Sequence, residues 1–323
     1  MPNPALYCAV LVCSAAITTL LIVIGRWRVT EGMAVGLACG YWLLKGAPRL
    51  PPTQALDRLL VFVYPALLVA LAIASRLRSR HAPDTHHAPD THRGTELNHQ
   101  RLGWRTRLST TSPALLTMAL LLLALRVLLH GSTDLQATTA AQQALLWLLL
   151  IIGAVGGWLL VRLQHYLWQN LQQAGAPAGT MPAAFMLALL ACGATIMLTG
   201  YVTGGAATVP FLGVICGSYC STWRRSEPEA VTSIAAVGLL GLVSLTLLGR
   251  FFGGLSNLQA LALILAPGLL IVVRWLPGTN NRRTLLALLC VALPLALVVV
   301  QAKRSFDRKY EPQRFLAPGR SHP

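Results

Sequence analysis

The run Ala5-Leu6-Tyr7-Cys8-Ala9-Val10-Leu11-Val12-Cys13-Ser14-Ala15-Ala16-Ile17-Thr18-Thr19-Leu20-Leu21-Ile22-Val23-Ile24-Gly25 carries no charge over its 21 residues. A hydrocarbon core of about 30 Å needs about 20 apolar residues at a helical rise of about 1.5 Å, so the run has the length to cross a bilayer. No Lys or Arg precedes it and its apolar stretch exceeds a secretion-signal core, so it reads as a retained anchor. Its apolar residues do not alternate with polar ones, and backbone in hydrocarbon must bond to itself. The run therefore predicts a helix and not a barrel strand.

Runs of the same kind occupy 59–75, 112–130, 144–162, 183–201 and 230–249. Weaker runs, shortened or interrupted by Gly and Pro, fall at 29–44, 206–222, 258–275 and 285–301, and none has a charge near its middle. Together they predict an all-α polytopic transmembrane helical bundle of about ten spans, with eight or nine also admissible. Of the 323 residues, 55% are hydrophobic and 11% charged. That composition excludes an ordinary soluble enzyme, a disordered chain and a small disulfide scaffold. The expected organisation is a first transmembrane half at 1–165, holding a hydrophilic, disordered loop at 76–111. A second half follows at 166–301, and then a basic, flexible tail at 302–323.

The net charge of +16 arises from 26 basic and 10 acidic residues. The bases sit beside apolar runs, without a folded basic face or an RNA-binding motif. Membrane topology and contact with anionic lipid headgroups account for them, and nucleic acid is not an expected partner. Loop 76–111 holds Arg76, Arg78, Arg80, Arg93, Arg101, Arg105 and Arg107, which places it on the cytoplasmic side of a bacterial cytoplasmic membrane. Arg26, Arg28, Arg224, Arg225, Arg274, Arg282 and Arg283 then share that side. The tail is discordant, because Lys303, Arg304, Arg308, Lys309, Arg314 and Arg320 fall outside if every run crosses. Either a weak run fails to span, 285–301 with Pro294 being one suspect, or the tail is tolerated outside.

Two segments echo each other. Gly36-Leu37-Ala38-Cys39-Gly40 in the second run matches Gly213-Val214-Ile215-Cys216-Gly217 in the seventh, and Cys13-Ser14-Ala15-Ala16-Ile17 matches Cys192-Gly193-Ala194-Thr195-Ile196. Apolar Ala- and Gly-rich runs match by chance, and that account outweighs a true duplication. A real five-plus-five repeat would be inverted, since five is odd, and would point to a site where the two short Gly-rich runs meet.

Gly32, Gly36 and Gly40 fall four residues apart, as do Gly213 and Gly217. The plain reading is close helix packing; a substrate path is the sharper one. Pro65, Pro210, Pro267 and Pro294 each remove a donor and free a carbonyl four residues back. No carboxylate lies inside an apolar run, which argues against a proton relay or an intramembrane aspartyl protease. Arg126, the deepest base, either snorkels to the interface or binds an anionic group. His81, His86, His87 and His92 stand in a tandem hexapeptide and could ligate Zn²⁺, Ni²⁺ or Cu²⁺, but the proline in each repeat denies them a helical face. No G-x-S-x-G, P-loop, H-E-x-x-H or G-x-G-x-x-G motif is present, so an enzyme is not the expectation and no cofactor is implied.

The leading expectation is a permease for a small solute or a lipid. Its path would be lined by Gly36, Gly40, Gly213 and Gly217, by the hydroxyls of Thr203, Thr208 and Ser218, and by Arg126. The alternative is a non-catalytic membrane scaffold or assembly subunit that recruits protein partners through loop 76–111 and the tail.

Overall fold

The computed structural model describes residues 4–25, 29–46, 57, 166, 179–222, 228–275 and 279–315. All of them belong to one of two compact units, residues 1–57 with 161–323; the other unit is 58–160. The runs at 59–75, 112–130 and 144–162 therefore lie outside the described residues, as do loop 76–111, Arg126 and the histidines of the tandem repeat.

Every regular element among the described residues is helical: α1 (Pro4–Val23), α2 (Val29–Lys45), α3 (Thr180–Leu198), α4 (Val202–Ala206), α5 (Thr208–Thr222), α6 (Pro228–Phe252), α7 (Asn257–Leu265), a 3₁₀ segment η1 (Ala266–Trp275) and α8 (Asn280–Phe315). Local chemistry sets several boundaries. Pro228 opens α6, where its missing N–H costs nothing. Glu31 and Lys45 sit at the ends of α2 that favour their charges. Ser256 and Gln259 form a reciprocal capping box at the start of α7.

Among the described residues five helices are long and apolar enough to cross a membrane: Pro4–Val23, Thr180–Leu198, Val202–Thr222 (α4 and α5 taken together), Ser233–Phe252 and Asn281–Lys309. This is the make-up of an integral membrane protein. Two weak runs form shorter apolar elements: α2 has 17 residues, and 258–275 divide into α7 and η1. The cause of that division is Pro267, which cannot donate to the carbonyl of Leu263. Helix α8 continues past residue 302 to Phe315.

The glycine contacts fix the directions of the helices. Gly32 lies over Ile22 and Gly40 over Ser14, so α1 and α2 are antiparallel. Gly213 lies over Leu11 and Gly217 over Ala15, so α5 runs parallel to α1. Gly238 over Phe185 and Gly249 over Ile196 set α6 parallel to α3, and Gly241 over Phe211 sets it antiparallel to α5. One end of the bundle thus holds the end of α2, the α3–α4 turn, residues 253–256 and the final turns of α8. The opposite end holds the ends of α1 and α5, the starts of α2 and α6, and Arg282 and Arg283 at the start of α8. The basic stretch after 302 lies at the end away from those arginines.

Phe185, Met181, Phe211, Ile215, Leu242 and Leu245 are fully buried where α3, α5 and α6 meet. Helices α1 and α8 are peripheral, and they expose Leu20, Leu289, Leu293 and Leu297 among others.

Candidate functional site

Helix α1 is held between α2 and α5 by a seam from which large side chains are excluded. Its buried residues are Val10, Ser14, Thr18 and Ile22, at strict four-residue spacing. Gly36 faces Thr18 and Ser14 from α2, and Gly40 faces Ser14 and Pro210. From α5, a methyl placed on Gly213 would come 2.6 Å from the Leu11 carbonyl oxygen and 2.8 Å from Ser14 Cβ, while Gly217 presses on the backbone of Ala15. The four glycines singled out in the sequence are therefore brought together, on two sides of one helix. Helix backbones approach this closely only where no Cβ intervenes.

The threonine hydroxyls along the seam are satisfied by carbonyls one helical turn back. Thr18 Oγ1 donates to the Ser14 carbonyl at 2.7 Å, and Thr19 Oγ1 lies 2.8 Å from the Ala15 carbonyl and 3.0 Å from that of Gly217 on α5. Ser14 Oγ and Ser218 Oγ are fully buried and have no hydrogen-bond partner among the described residues.

The seam leads to a break in the most buried of the five candidate spans. Pro210 cannot donate to the carbonyl of Ala206, and the helix is interrupted at Ala207. Tyr41 of α2 donates its hydroxyl to the Ala207 carbonyl at 2.7 Å, and its ring meets Phe211 edge-on at 6.2 Å between centroids. Thr208 begins the second piece with Oγ1 donating to the Gly205 carbonyl at 2.8 Å, against Gly193 of α3. Thr203 is exposed on α4 and apart from this group.

Sequence reasoning missed an ion pair at the same end of the bundle. Lys45 pairs with Asp57, whose side chain is only 1% exposed and whose Oδ2 has no partner among the described residues. Asp57 lies two residues before the apolar run at 59–75, and the structure buries it. Burial, and secondarily the Asp57 carboxylate, push the phenol of Tyr201 in the α3–α4 turn above its ordinary range. The one signal available was an opposite charge 12 residues beyond Lys45, across Pro48, Pro51 and Pro52.

Among the described residues no three His, Cys, Asp or Glu side chains come together in a way that could hold a metal ion. The chain matches no protein-family model, no curated protein and no solved structure.

Proposed function

We propose that the chain is a multi-pass, permease-like protein of a bacterial cytoplasmic membrane, with about ten spans and loop 76–111 in the cytoplasm, that moves a small solute or a lipid. The observation that supports this reading is the interruption of α4–α5 at Ala207. A helix broken by proline in the best-buried part of a membrane bundle leaves the Ala206 carbonyl without its N–H donor, and Tyr41 bonds the neighbouring Ala207 carbonyl at the break. Discontinuous helices of this kind line the sites of many carriers because their freed polar groups can serve a substrate and their ends can pivot. Thr208 and the freed backbone, with Gly40 and Pro210 alongside, would form the polar part of the path; Gly36, Gly213 and Gly217 hold α1 as its fixed wall. An inverted five-plus-five repeat would make α1 against α5 equivalent to α3 against α2. Only the first is an extensive contact among the described residues, so the reading does not lean on the repeat.

Reconstitution into liposomes tests it. Stopped-flow light scattering would follow entry of glycerol, urea, alanine and phosphate, and dithionite quenching would follow transbilayer movement of fluorescent phosphatidylglycerol and phosphatidylcholine. At least one probe is expected to move faster than in protein-free vesicles, and Tyr41→Phe is expected to alter that rate. Rates equal to protein-free vesicles for every probe overturn the permease reading. A stoichiometric protein partner lost on deletion of 76–111 would then favour the scaffold.

A further inference from the structure

Helix α8 does not stop where its apolar run stops. Beyond Gln301 it carries Lys303, Arg304, Arg308 and Lys309 on continuing helix. Its last turns stand beside Leu198 and Thr199 at the end of α3, the Gly253–Ser256 connection and Gln259 of α7. These pieces enclose a cleft of about 810 Å³, within the usual range of small-molecule sites, roughly 300–1,000 Å³. Arg304, Arg308 and Lys309 line it together with Ser305 and Gln301, and none of the lining residues is acidic. Among the described residues no carboxylate forms an ion pair with any of the three cations.

The opposite wall suits an anion. A methyl placed on the buried Gly253 would come 2.8 Å from the Gly249 carbonyl oxygen and 2.9 Å from Thr199 Oγ1, and Gly254 turns the chain at φ +73°, so no side chain from either fills the cleft. The Ser256–Gln259 capping box fixes the first turn of α7 at this wall, presenting the positive end of that helix.

Charge placement supplies a separate argument. The ends of membrane-crossing helices lie on opposite sides of the bilayer, and an excess of Lys and Arg in short loops marks the cytoplasmic side only. Arg282 and Arg283 stand at one end of this bundle, and the two helices that finish there, α1 and α5, are followed in sequence by Arg26 and Arg28 and by Arg224 and Arg225. The cations of the cleft lie at the other, where the topology rule gives no reason for them.

We propose that this cleft binds a phosphate group through Arg304, Arg308 and Lys309, carried either by an anionic lipid headgroup or by free inorganic phosphate. Arg304 and Arg308, one helical turn apart, offer forked donors to phosphate oxygens, and Lys309 adds a point charge. The proposal concerns binding and stands whether or not the chain moves a solute.

The full chain in neutral detergent would be titrated with fluorescent phosphatidylglycerol, with inorganic phosphate as competitor. The variant R304Q/R308Q/K309Q is compared with R224Q/R225Q/R282Q, which removes the same charge elsewhere in the chain. Loss of three charge-assisted contacts should weaken phosphatidylglycerol binding roughly tenfold or more in the first variant and far less in the second. Competition by millimolar phosphate identifies the free ion as a ligand, and competition by unlabelled lipid alone identifies the headgroup; either outcome supports the site. Equal loss in the two variants, or wild-type binding in the first, overturns it. Should the first variant fail to fold, a photoreactive phosphatidylglycerol headgroup on the wild-type chain decides. Labelling of 301–309 supports the site, and labelling confined elsewhere rejects it.

Discussion

Helices α1 and α8 are both apolar, both peripheral and both turn one narrow stripe inward, yet they are held by opposite means. The stripe of α1 is Val10, Ser14, Thr18 and Ile22, set against glycines whose absent side chains let backbone touch backbone. That of α8 is Ala287, Val291, Leu295, Val298 and Ala302, aliphatic groups packed against ordinary neighbours. In a bilayer, lipid tails are as apolar as leucine, so burying a side chain against another helix brings little transfer energy. What remains is contact quality. A backbone seam obtains it by proximity, and an aliphatic stripe obtains it by filling volume.

The difference is most sharply broken by adding a side chain where the seam has none. Gly213→Leu places atoms inside the Leu11 carbonyl and Ser14 contacts, and backbone cannot yield as a side chain can. The expected cost is about 3 kcal/mol or more, read as loss of a monodisperse peak and of a cooperative melting transition in mild detergent. A melting point within a few degrees of wild type would mean that α1 is not fixed by this seam. On α8 the informative change is a deletion. Leu295→Ala removes volume from a 3% exposed position and should cost about 1–3 kcal/mol, the cavity part of a core truncation without its full transfer part. A folded protein with a lowered midpoint is expected, and an unchanged one would place Leu295 in lipid.

The smallest effect belongs to Ser14→Ala. Its hydroxyl is buried with no partner among the described residues, so removing it should leave stability unchanged or raise it by up to about 1 kcal/mol. A clear loss of stability would show that Ser14 Oγ has a partner in the membrane, such as a water or a bound solute in the seam.

Much of this architecture is legible in the residues. The uncharged length of 5–25 and 183–201 specifies helices, and the four-residue glycine spacing announces close approach, because both signals are local to one helix. Pro210 and Pro267 likewise mark the two interruptions. The Lys45–Asp57 pair is hidden because its partners lie on either side of a proline-rich stretch of sequence, and burial depends on what packs over them. Residues 302–315 look like a tail by charge, yet Ala302, Lys303, Arg304, Arg308 and Lys309 are good helix formers and extend α8 without a break. The cleft draws on four separate stretches of chain, so no window along the sequence contains it.

The parallel contact of α1 with α5 also carries a consequence for how the protein is made. Thr19 and Gly217 meet across a sequence separation of 198 residues, so the ribosome delivers α1 to the membrane well before α5 exists. Until then the Ser/Thr face of α1 must wait in lipid, where an unsatisfied hydroxyl is penalised. The bonds of Thr18 and Thr19 to carbonyls four residues back let the helix tolerate that wait, because they need no second chain segment. When α5 arrives, Thr19 has only to share its hydroxyl with the Gly217 carbonyl. The first helix is thus soluble in the bilayer on its own and still able to recognise a partner synthesised much later.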